Sequence, residues 1–406
     1  MTEQQFKPEL VAPAGTLEKL IWAARYGADA VYFGAEFGSL RAYAGNFSLD
    51  DAQKGIDFLH KNGKRALITL NIYPFSDEYD KLVEIAGKLS EMGADALIVA
   101  DIGLIFELKK AGIKTPIHIS TQANTTSSQS VLAYQQLGAA RVNLARELSF
   151  EQIKKIREDT LKSGMQLEVF VHGAVCFSYS GRCAISDYLT GRKANRGECT
   201  HPCRWGYSLV EESRPGQYFP VFEDERGQYL FNDKDLALFE YIEPLKNIGV
   251  NAFKIEGRMK SVHYIASVVS LYRQLIDGKK ISSEDCLKLL SRVKNRGYST
   301  GFMKGEITPE DYSREKSDTS SEAVFVGDIV SVGDEETEIG CICHTRNKIF
   351  AGEKLEVMTP NCEISEIAMP SPLKLIDGTE VQFANNPQKI KLEQKLPPYS
   401  ILRRIV

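Results

Sequence analysis

Signals that would place the chain in a membrane or outside the cell are missing from its 406 residues. No apolar run approaches the roughly 20 residues that a membrane-spanning helix needs. The opening segment, MTEQQFKPEL, has neither the basic stretch nor the apolar core of a secretory signal. We therefore expect a cytoplasmic protein. In a reducing compartment its eight cysteines are better explained as metal ligands, reactive thiols or buried side chains than as a disulfide framework.

Several catalytic motifs are absent as well. The sequence contains no G-x-S-x-G nucleophile elbow and no H-E-x-x-H zinc motif. It has no P-loop, no G-x-G-x-x-G fingerprint and no C-x3-C-x2-C spacing of the radical-SAM type. The common signatures of serine hydrolases, zinc peptidases and nucleotide-binding enzymes are therefore excluded.

Charge is nearly balanced, with 50 Lys and Arg against 54 Asp and Glu and a pI near 6.0. This balance argues against non-specific coating of nucleic acid. One local basic patch is nevertheless present, formed by Arg192, Lys193, Arg196 and Arg204. Such a patch suits contact with a nucleic-acid backbone. A charged cluster is more commonly a solvated loop, so the patch alone does not decide between the two.

What is present is a regular alternation of short apolar runs and amphipathic segments. The apolar runs predict eight strands: Leu10–Ala14, Ala30–Gly34, Ala66–Leu70, Ala96–Ala100, Ile117–Thr121, Arg141–Ala145, Leu167–Val171 and Ala252–Glu256. Helix-start signals fit between them, since Ser48 with Asp51 and Ser149 with Gln152 have capping-box spacing. Eight strand–helix units predict an α/β fold, a (β/α)8 TIM-like barrel, with a doubly wound open sheet as the alternative.

The alternation breaks once and then ends. The barrel is predicted to occupy residues 1–278, with an insertion over 175–250 after the seventh strand. An insertion there falls on the carboxyl-terminal face of a barrel, where barrel enzymes hold their active sites. Residues 279–322 are predicted to form a helical and polar linker, and 323–406 contain short β-rich runs that predict a small antiparallel β-barrel domain.

Four cysteines of the insertion, Cys176, Cys183, Cys199 and Cys203, form the pattern C-x6-C-x15-C-x3-C. Soft thiolates favour zinc or an iron–sulfur cluster. Structural zinc sites generally pair their ligands as C-x2-4-C, which only the second pair matches. The spacing favours a cluster, and zinc or unligated cysteines remain open alternatives.

Polar residues near the ends of the predicted strands are candidates for the site. Strand alternation directs His118, Ser120 and Gln122 of the fifth strand into the barrel. The same argument directs Glu168, Phe170 and His172 of the seventh strand inward, and Lys254 and Glu256 of the eighth. His118 and Glu168 lie further from the carboxyl ends of their strands, and we expect them to pack against other side chains inside the barrel.

The upper residues divide into two predicted groups. Gln122, His172 and Glu256 are predicted to line one pocket as catalytic residues, for which hydrogen bonding among packing residues is the alternative. Four cations, Arg146, Arg182, Lys254 and Arg258, are predicted to bind an anionic substrate, because such side chains recognise carboxylates and phosphates.

These motifs together resemble a known family. The blocks EVFVHGAVCFSYSGRC, GECTHPCRW, FNDKDL, FKIEGRMKS and NRGYSTGF look like those of peptidase family U32, and the likeness runs over nearly the whole length. Despite the family's name, the resemblance implies hydroxylation of RNA, with wobble uridine of tRNA converted to 5-hydroxyuridine. Hydroxylation of ribosomal RNA or a small aromatic substrate, or a collagenase-like peptidase activity, are the alternatives.

The resemblance also implies cofactors and partners. Cys176, Cys183, Cys199 and Cys203 would hold a 4Fe-4S cluster, and prephenate would be the hydroxyl donor in an oxygen-independent reaction. Prephenate carries two carboxylates, which suits a site with several arginines. The expected RNA partner is the tRNA anticodon loop, whose single-stranded bases are accessible. Some members act as heteromers, so a paralogous protein or a second copy of the chain is a further expected partner.

Overall fold

The computed structural model describes residues 6–35, 38–39, 46–175, 180, 183–194, 198–200, 202, 209–210, 218–219, 222–224, 227–229, 234–305, 321–329 and 340–406. These residues group into two compact units. The first contains 1–24, 28–260 and 296–319, and the second contains 25–27, 261–295 and 320–406. In the part of the chain that is described, no helix combines the length and apolarity needed to cross a membrane.

The first unit is a closed parallel barrel, which confirms the predicted fold. With strands numbered in chain order, the barrel consists of β1 Glu9–Pro13, β2 Ala30–Gly34, β3 Arg65–Leu70, β4 Ala96–Val99, β5 Ile117–Ile119, β6 Arg141–Asn143, β7 Gln166–Gly173 and β13 Ala252–Ile255. Each strand pairs in parallel with the next, and β13 closes the ring by pairing with both β7 and β1. Every predicted strand is therefore confirmed to within two residues.

Helices follow most of the strands. They are α1 Leu17–Arg25, α2 Leu49–Lys61, α3 Tyr79–Glu91, α4 Ile102–Lys110, α5 Ser128–Gln136, α6 Phe150–Thr160, α7 Ile185–Thr190, α8 Ile242–Asn247, α9 Val262–Ile276 and α10 Ser283–Ser291. Polar N-caps start several of them, because a side-chain oxygen satisfies an otherwise unpaired N–H of the first turn. Ser48 caps α2, and Ser149 and Gln152 form the predicted capping box of α6.

One side of the barrel interior is apolar. Val11, Tyr32, Leu67 and Ile98 belong to one buried cluster contributed by neighbouring strands. Alternation along each strand sends the intervening side chains, such as Leu10 and Phe33, to the outer face, where they are also fully buried. Interior packing at this density holds the strand ends, and with them the polar side chains, in fixed positions.

The insertion after β7 adds strands that the sequence did not predict. They are β8 Leu209–Val210, β9 Tyr218–Phe219, β10 Phe222–Asp224, β11 Gly227–Tyr229 and β12 Asp235–Ala237. β12 pairs antiparallel with the end of β7, and β14 Tyr298–Ser299 pairs with β12. Residues far apart in sequence are thereby brought to the carboxyl-terminal end of β7.

The second unit contains α9, α10 and an eight-stranded antiparallel sheet that curves into a half-barrel. A separate two-stranded pair is formed by β17 Ile349–Phe350 and β22 Phe383–Ala384. The eight strands of the sheet are β15 Ala323–Ile329, β16 Cys341–Thr345, β18 Lys354–Met358, β19 Ile364–Ala368, β20 Leu373–Leu375, β21 Glu380–Val381, β23 Lys389–Leu392 and β24 Ile401–Ile405. Arg403 is fully buried and donates to the Glu356 carboxylate at 2.5 Å, so its charge is compensated within the unit.

Candidate active site at the carboxyl ends of the barrel strands

A chain of buried ion pairs crosses the barrel interior. Lys254 Nζ donates to Glu168 Oε1 at 2.8 Å, and Arg141 Nη1 lies 3.2 Å from Glu168 Oε2. Arg141 also reaches Glu9 at 2.5 Å, and Arg65 donates to the same carboxylate at 3.0 Å. Burial alone would raise the pKa of Glu168, but the two neighbouring cations lower it to about 2. Glu168 is therefore an anion that holds Lys254 in place, in agreement with its predicted packing role.

Three of the predicted site residues meet above this network. The Tyr32 hydroxyl donates to Glu256 Oε2 at 2.9 Å, and Arg146 Nη2 lies 4.0 Å from the same oxygen. The Arg146 guanidinium is 4.0 Å from the centre of the Phe170 ring, and Lys254 Nζ is 4.4 Å from the centre of the Tyr32 ring. Aromatic faces and a carboxylate thus surround two cations at the mouth of the barrel, an arrangement suited to an anionic or aromatic ligand.

Arg258 lies at the edge of the same mouth and is almost completely buried. Its Nη1 donates to Ser39 Oγ at 2.7 Å and its Nη2 donates to Asn46 Oδ1 at 2.9 Å. A Cβ on Gly34 would lie 2.5 Å from Nη2, and a Cβ on Gly15 would lie 2.5 Å from the Arg258 carbonyl oxygen. The absence of side chains at Gly34 and Gly15 therefore leaves space for Arg258. Through its hydrogen bonds, Arg258 holds the segment after β2 against the end of β13.

Gln122 stands on a different side of the mouth. It belongs to a short 3-10 turn after β5, three strands around the barrel from β13, which carries Glu256 at its end. The Tyr73 hydroxyl donates to the Gln122 backbone carbonyl, and Asn71 Nδ2 donates to Ser120 Oγ at 3.2 Å. The loop after β3 thus supports the end of β5 and fixes the position of Gln122.

The prediction that His172 points into the barrel is wrong, because β7 contains a β-bulge. Lys254 pairs with Phe170, whereas the next residue of β13, Ile255, pairs with His172, so Val171 is an extra residue. Phe170 keeps the predicted inward direction. His172 instead pairs with Ile255. Side chains alternate in direction along β13, so Ile255 points outward, and His172 points outward with it.

His172 contacts residues that the strand pattern did not identify. Its ring centre is 5.6 Å from that of Tyr298, and Asp235, ion-paired to Arg296 at 2.5 Å, lies nearby. Burial lowers the pKa of His172 to about 3, with Asp235 opposing the shift. His172 is therefore neutral at physiological pH.

Asp235, Arg296 and Tyr298 are thus the residues around His172 that strand counting missed. They lie in the motifs FNDKDL and NRGYSTGF, outside the eight barrel strands, and the pairing of β12 with β7 and β14 brings them to the end of β7. Burial raises the pKa of Tyr298. The motifs themselves were the available signal, since both belong to the blocks that resemble family members.

Part of the cysteine region is described. Cys183 and Cys199 are present, whereas Cys176, Cys203 and the predicted anion ligand Arg182 lie outside the described residues. Ser186 Oγ lies 3.1 Å from Thr200 Oγ1, so the segments that carry Cys183 and Cys199 are held together. Thiols on two segments joined in this way have the donor chemistry of an iron–sulfur cluster, and the same donors suit zinc equally well.

Two contacts attach the insertion to the barrel mouth. Glu147, which follows β6, accepts the backbone N–H of Ser180 at 2.7 Å. Lys193 Nζ is 4.8 Å from the centre of the Phe75 ring, which belongs to the loop after β3. The cysteine-bearing insertion is therefore attached to the loops that follow β6 and β3.

The barrel, the charged mouth and the attached insertion define the chain as a (β/α)8-barrel protein with a candidate site at the carboxyl ends of the strands. Residues 15–312 match the model of peptidase family U32, and residues 321–403 match that of the peptidase family U32 C-terminal domain. The chain belongs to peptidase family U32.

Relatives in the family carry different names. The chain is 36% identical over 405 residues to tRNA hydroxylation protein P of Escherichia coli, covering 89% of this chain and 88% of that protein. It is 34% identical over 283 residues to the 23S rRNA 5-hydroxycytidine C2501 synthase of E. coli, covering 68% of this chain and 40% of that protein. It is 29% identical over 336 residues to a collagenase of Porphyromonas gingivalis, covering 79% of each.

Proposed function

We propose that the chain is an RNA hydroxylase that converts wobble uridine of tRNA to 5-hydroxyuridine. The observation that carries this proposal is the attachment of the cysteine-bearing insertion to a cation-lined barrel mouth, through Glu147 with Ser180 and Lys193 with Phe75. The relatives named for tRNA and rRNA hydroxylation support the reaction class.

An iron–sulfur cluster is the cofactor that we propose. Cys176, Cys183, Cys199 and Cys203 would hold it, and the two described members lie in segments joined by Ser186 and Thr200. When bound, such a cluster supplies electron-transfer chemistry at a potential set by its surroundings. The neighbouring protein contributes the rigid attachment of the Ser180 segment to Glu147.

Prephenate is the hydroxyl donor that we propose, and the charge of the barrel interior supports an anionic ligand. The buried part of the ion-pair network and the mouth contain four cations, Arg141, Arg146, Lys254 and Arg258, against three carboxylates, Glu9, Glu168 and Glu256. Buried charge without compensation is unfavourable. A carboxylate of prephenate would balance the excess positive charge among these side chains.

Glu256 is proposed to handle the proton of the reacting base. Replacing the C5–H bond of uracil by C5–OH is a two-electron oxidation of the base. The C–O bond of the donor breaks, the donor keeps the electron pair of that bond, and C5 loses a proton, which a carboxylate at the mouth can accept. Glu256 is held by the Tyr32 hydroxyl at 2.9 Å and faces Arg146. Lys254 and Arg146 would orient the anionic donor beside it.

The exposed face of the insertion is suited to RNA. Tyr188 of α7 is 88% exposed, and Arg192 and Lys193 follow shortly after it. Exposed aromatic rings beside cations bind single-stranded nucleic acid by stacking and by phosphate contact. Arg196 and Arg204 of the predicted basic patch lie outside the described residues.

The test is mass spectrometry of nucleosides from bulk tRNA of a strain that lacks the gene. Wild type should restore 5-hydroxyuridine, Cys176→Ala should not, and Cys341→Ala, a cysteine of the half-barrel sheet, should restore it fully. Full modification by a Cys176→Ala protein that holds no iron would contradict the proposal.

Peptide cleavage is the other outcome to measure on the same protein. In the described mouth, Ser39 bonds to Thr69 and Arg258, and Ser120 bonds to Asn71, so neither hydroxyl is paired with a histidine base. Cleavage of a collagen-like peptide by anaerobically purified protein, lost in a Glu256→Gln variant, would favour a peptidase instead.

A further inference from the structure

A buried amide oxygen at the floor of the mouth has no hydrogen-bond partner among the described residues. Asn143 ends β6 and is 3% exposed, and no described residue donates a hydrogen bond to its Oδ1. A buried polar atom without a partner costs stability, so native proteins rarely retain one unless a ligand or water satisfies it. Asn143 Oδ1 is therefore able to accept a hydrogen bond from a ligand.

The direction of Asn143 follows from its strand. Arg141, two residues earlier, points into the barrel, where it meets Glu168. Side chains two apart on a strand share a face, so Asn143 also points inward, one layer nearer the mouth. It pairs in register with Glu168, the residue that holds Lys254.

Asn143 is accompanied by other buried acceptors without a described partner. They are Gln122 Oε1, Asn124 Oδ1 and Thr125 Oγ1, from the segment after β5. Two bonds hold that segment to the segment after β6, from Thr121 Oγ1 to the Leu144 carbonyl at 3.3 Å and from the Ala145 N–H to the Thr125 carbonyl at 3.0 Å. The acceptors thus belong to two loops that are tied together at one side of the mouth.

Nearby cations do not satisfy these acceptors, because their bonds go to other side chains. Lys254 donates to Glu168, and Arg141 donates to Glu168, Glu9 and Gln166. Among the described residues no donor remains for these acceptors, and a ligand that brings an N–H of its own would satisfy Asn143 Oδ1. An amide side chain offers one acceptor and one donor side by side, which matches the edge of a pyrimidine where a ring nitrogen adjoins an exocyclic group.

We infer that Asn143 reads the N3 edge of the target pyrimidine. The inference rests on the proposed function and names the residue that would recognise the base. For uracil, Asn143 Oδ1 accepts the N3–H, and Nδ2 donates to an adjacent carbonyl oxygen. The base must leave the anticodon stack to reach this depth, as bases do in enzymes that modify them.

The experiment compares two RNA hairpins with the anticodon-loop sequence, one with uridine and one with N3-methyluridine at the wobble position. The methyl group removes the N3–H donor. Affinity of full-length protein is measured by fluorescence anisotropy. Wild type should bind the methylated RNA about tenfold or more weakly. Asn143→Leu should bind both RNAs with equal affinity. Asn62, whose amide donates to the Phe58 carbonyl at the end of α2, supplies the control, and Asn62→Leu should keep the wild-type ratio of the two affinities.

Equal binding of the two RNAs by wild type would overturn the inference, whether or not the variant folds. A methyl penalty that persists undiminished in Asn143→Leu would overturn it too, because the penalty would then belong to some other residue. Failure of the proposed function is distinguishable. If wild type does not restore 5-hydroxyuridine in cells, the proposed function fails. If it does and the two RNAs bind equally, only the inference about Asn143 fails.

Discussion

Lys254 of β13 and Glu168 of the neighbouring strand β7 lie 2.8 Å apart inside the barrel, and each is almost wholly shielded from solvent. Glu168 also accepts from Arg141 at 3.2 Å, so one carboxylate compensates two cations. Removing one member of a buried pair leaves an uncompensated charge, which is far costlier than losing an exposed pair. The first prediction follows from this difference.

Glu168→Gln should lower the free energy of unfolding by about 3–5 kcal/mol, because Lys254 and Arg141 lose their counter-charge. Urea denaturation at pH 7 would measure the change. The exposed pair of Glu84 and Lys88 is the control, and Glu84→Gln should leave stability nearly unchanged. A Glu168→Gln protein as stable as wild type would show that the network is dispensable.

The pKa of Glu168 also predicts a dependence on pH. Since its folded pKa is lowered to about 2 from an ordinary 4.5, the ionised carboxylate stabilises the fold fully above pH 4.5. That contribution is lost as the pH falls toward 2. The free energy of unfolding should therefore fall more steeply between pH 5 and 2 for wild type than for Glu168→Gln. Parallel curves would contradict the assigned pKa.

His172 should destabilise the folded state in acid. Its pKa is lowered to about 3 by burial, so the unfolded chain binds a proton between pH 6.5 and 3 that the folded chain does not. One such proton lowers stability by about 1.4 kcal/mol for each pH unit in that window. His172→Gln should show a shallower slope there. An unchanged slope would mean that His172 is protonated in the folded protein.

Glu147 should matter for the cysteine region rather than for the barrel. Its carboxylate accepts the Ser180 N–H at 2.7 Å, and such charge-assisted bonds are about twice as strong as neutral ones. Glu147→Ala should keep the barrel folded and reduce both iron content and tRNA hydroxylation. Glu151→Ala, an exposed residue in the first turn of α6, is the matched control. A Glu147→Ala protein with full iron content would show that Glu147 does not support the cysteine region.

Gly34 should tolerate no side chain. A Cβ there would collide with Ser39 Oγ and approach Arg258 Nη2 to 2.5 Å, so Gly34→Ala should cost about 1–3 kcal/mol through overpacking. A Cβ on Gly87 in α3 would have no neighbouring atom within 4 Å, and Gly87→Ala should be neutral or stabilising because alanine favours helix. Thermal unfolding would measure the melting temperatures of the two variants. Similar melting temperatures for both variants would show that Arg258 can move away.

Tyr188 should contribute to RNA affinity by stacking. Tyr188→Ala should weaken binding of the anticodon hairpin by about 1–3 kcal/mol. Phe106 is 55% exposed on α4 and serves as the control, since Phe106→Ala removes an exposed ring outside the insertion. Equal losses in both variants would point to a general effect of surface rings instead of a binding face.

Much of the fold was determined by the sequence alone. The eight barrel strands appear where apolar runs predicted them because each strand buries both faces, which requires continuous apolar segments. Ser149 and Gln152 form the predicted capping box because capping depends only on residues within one turn. The inward direction of Glu168, Phe170 and Lys254 followed from alternation along regular strands.

The rest was decided by tertiary structure. The bulge at Val171 redirects His172, and no local pattern announces a bulge, because it arises where β7 pairs with both β13 and β12. Asp235 and Tyr298 meet near His172 through the pairing of two strands that lie far apart in sequence. Which polar atoms lack partners, Asn143 Oδ1 among them, depends on every neighbour that packing brings near. Sequence determines what each segment prefers locally, whereas contacts between distant segments decide which side chains meet.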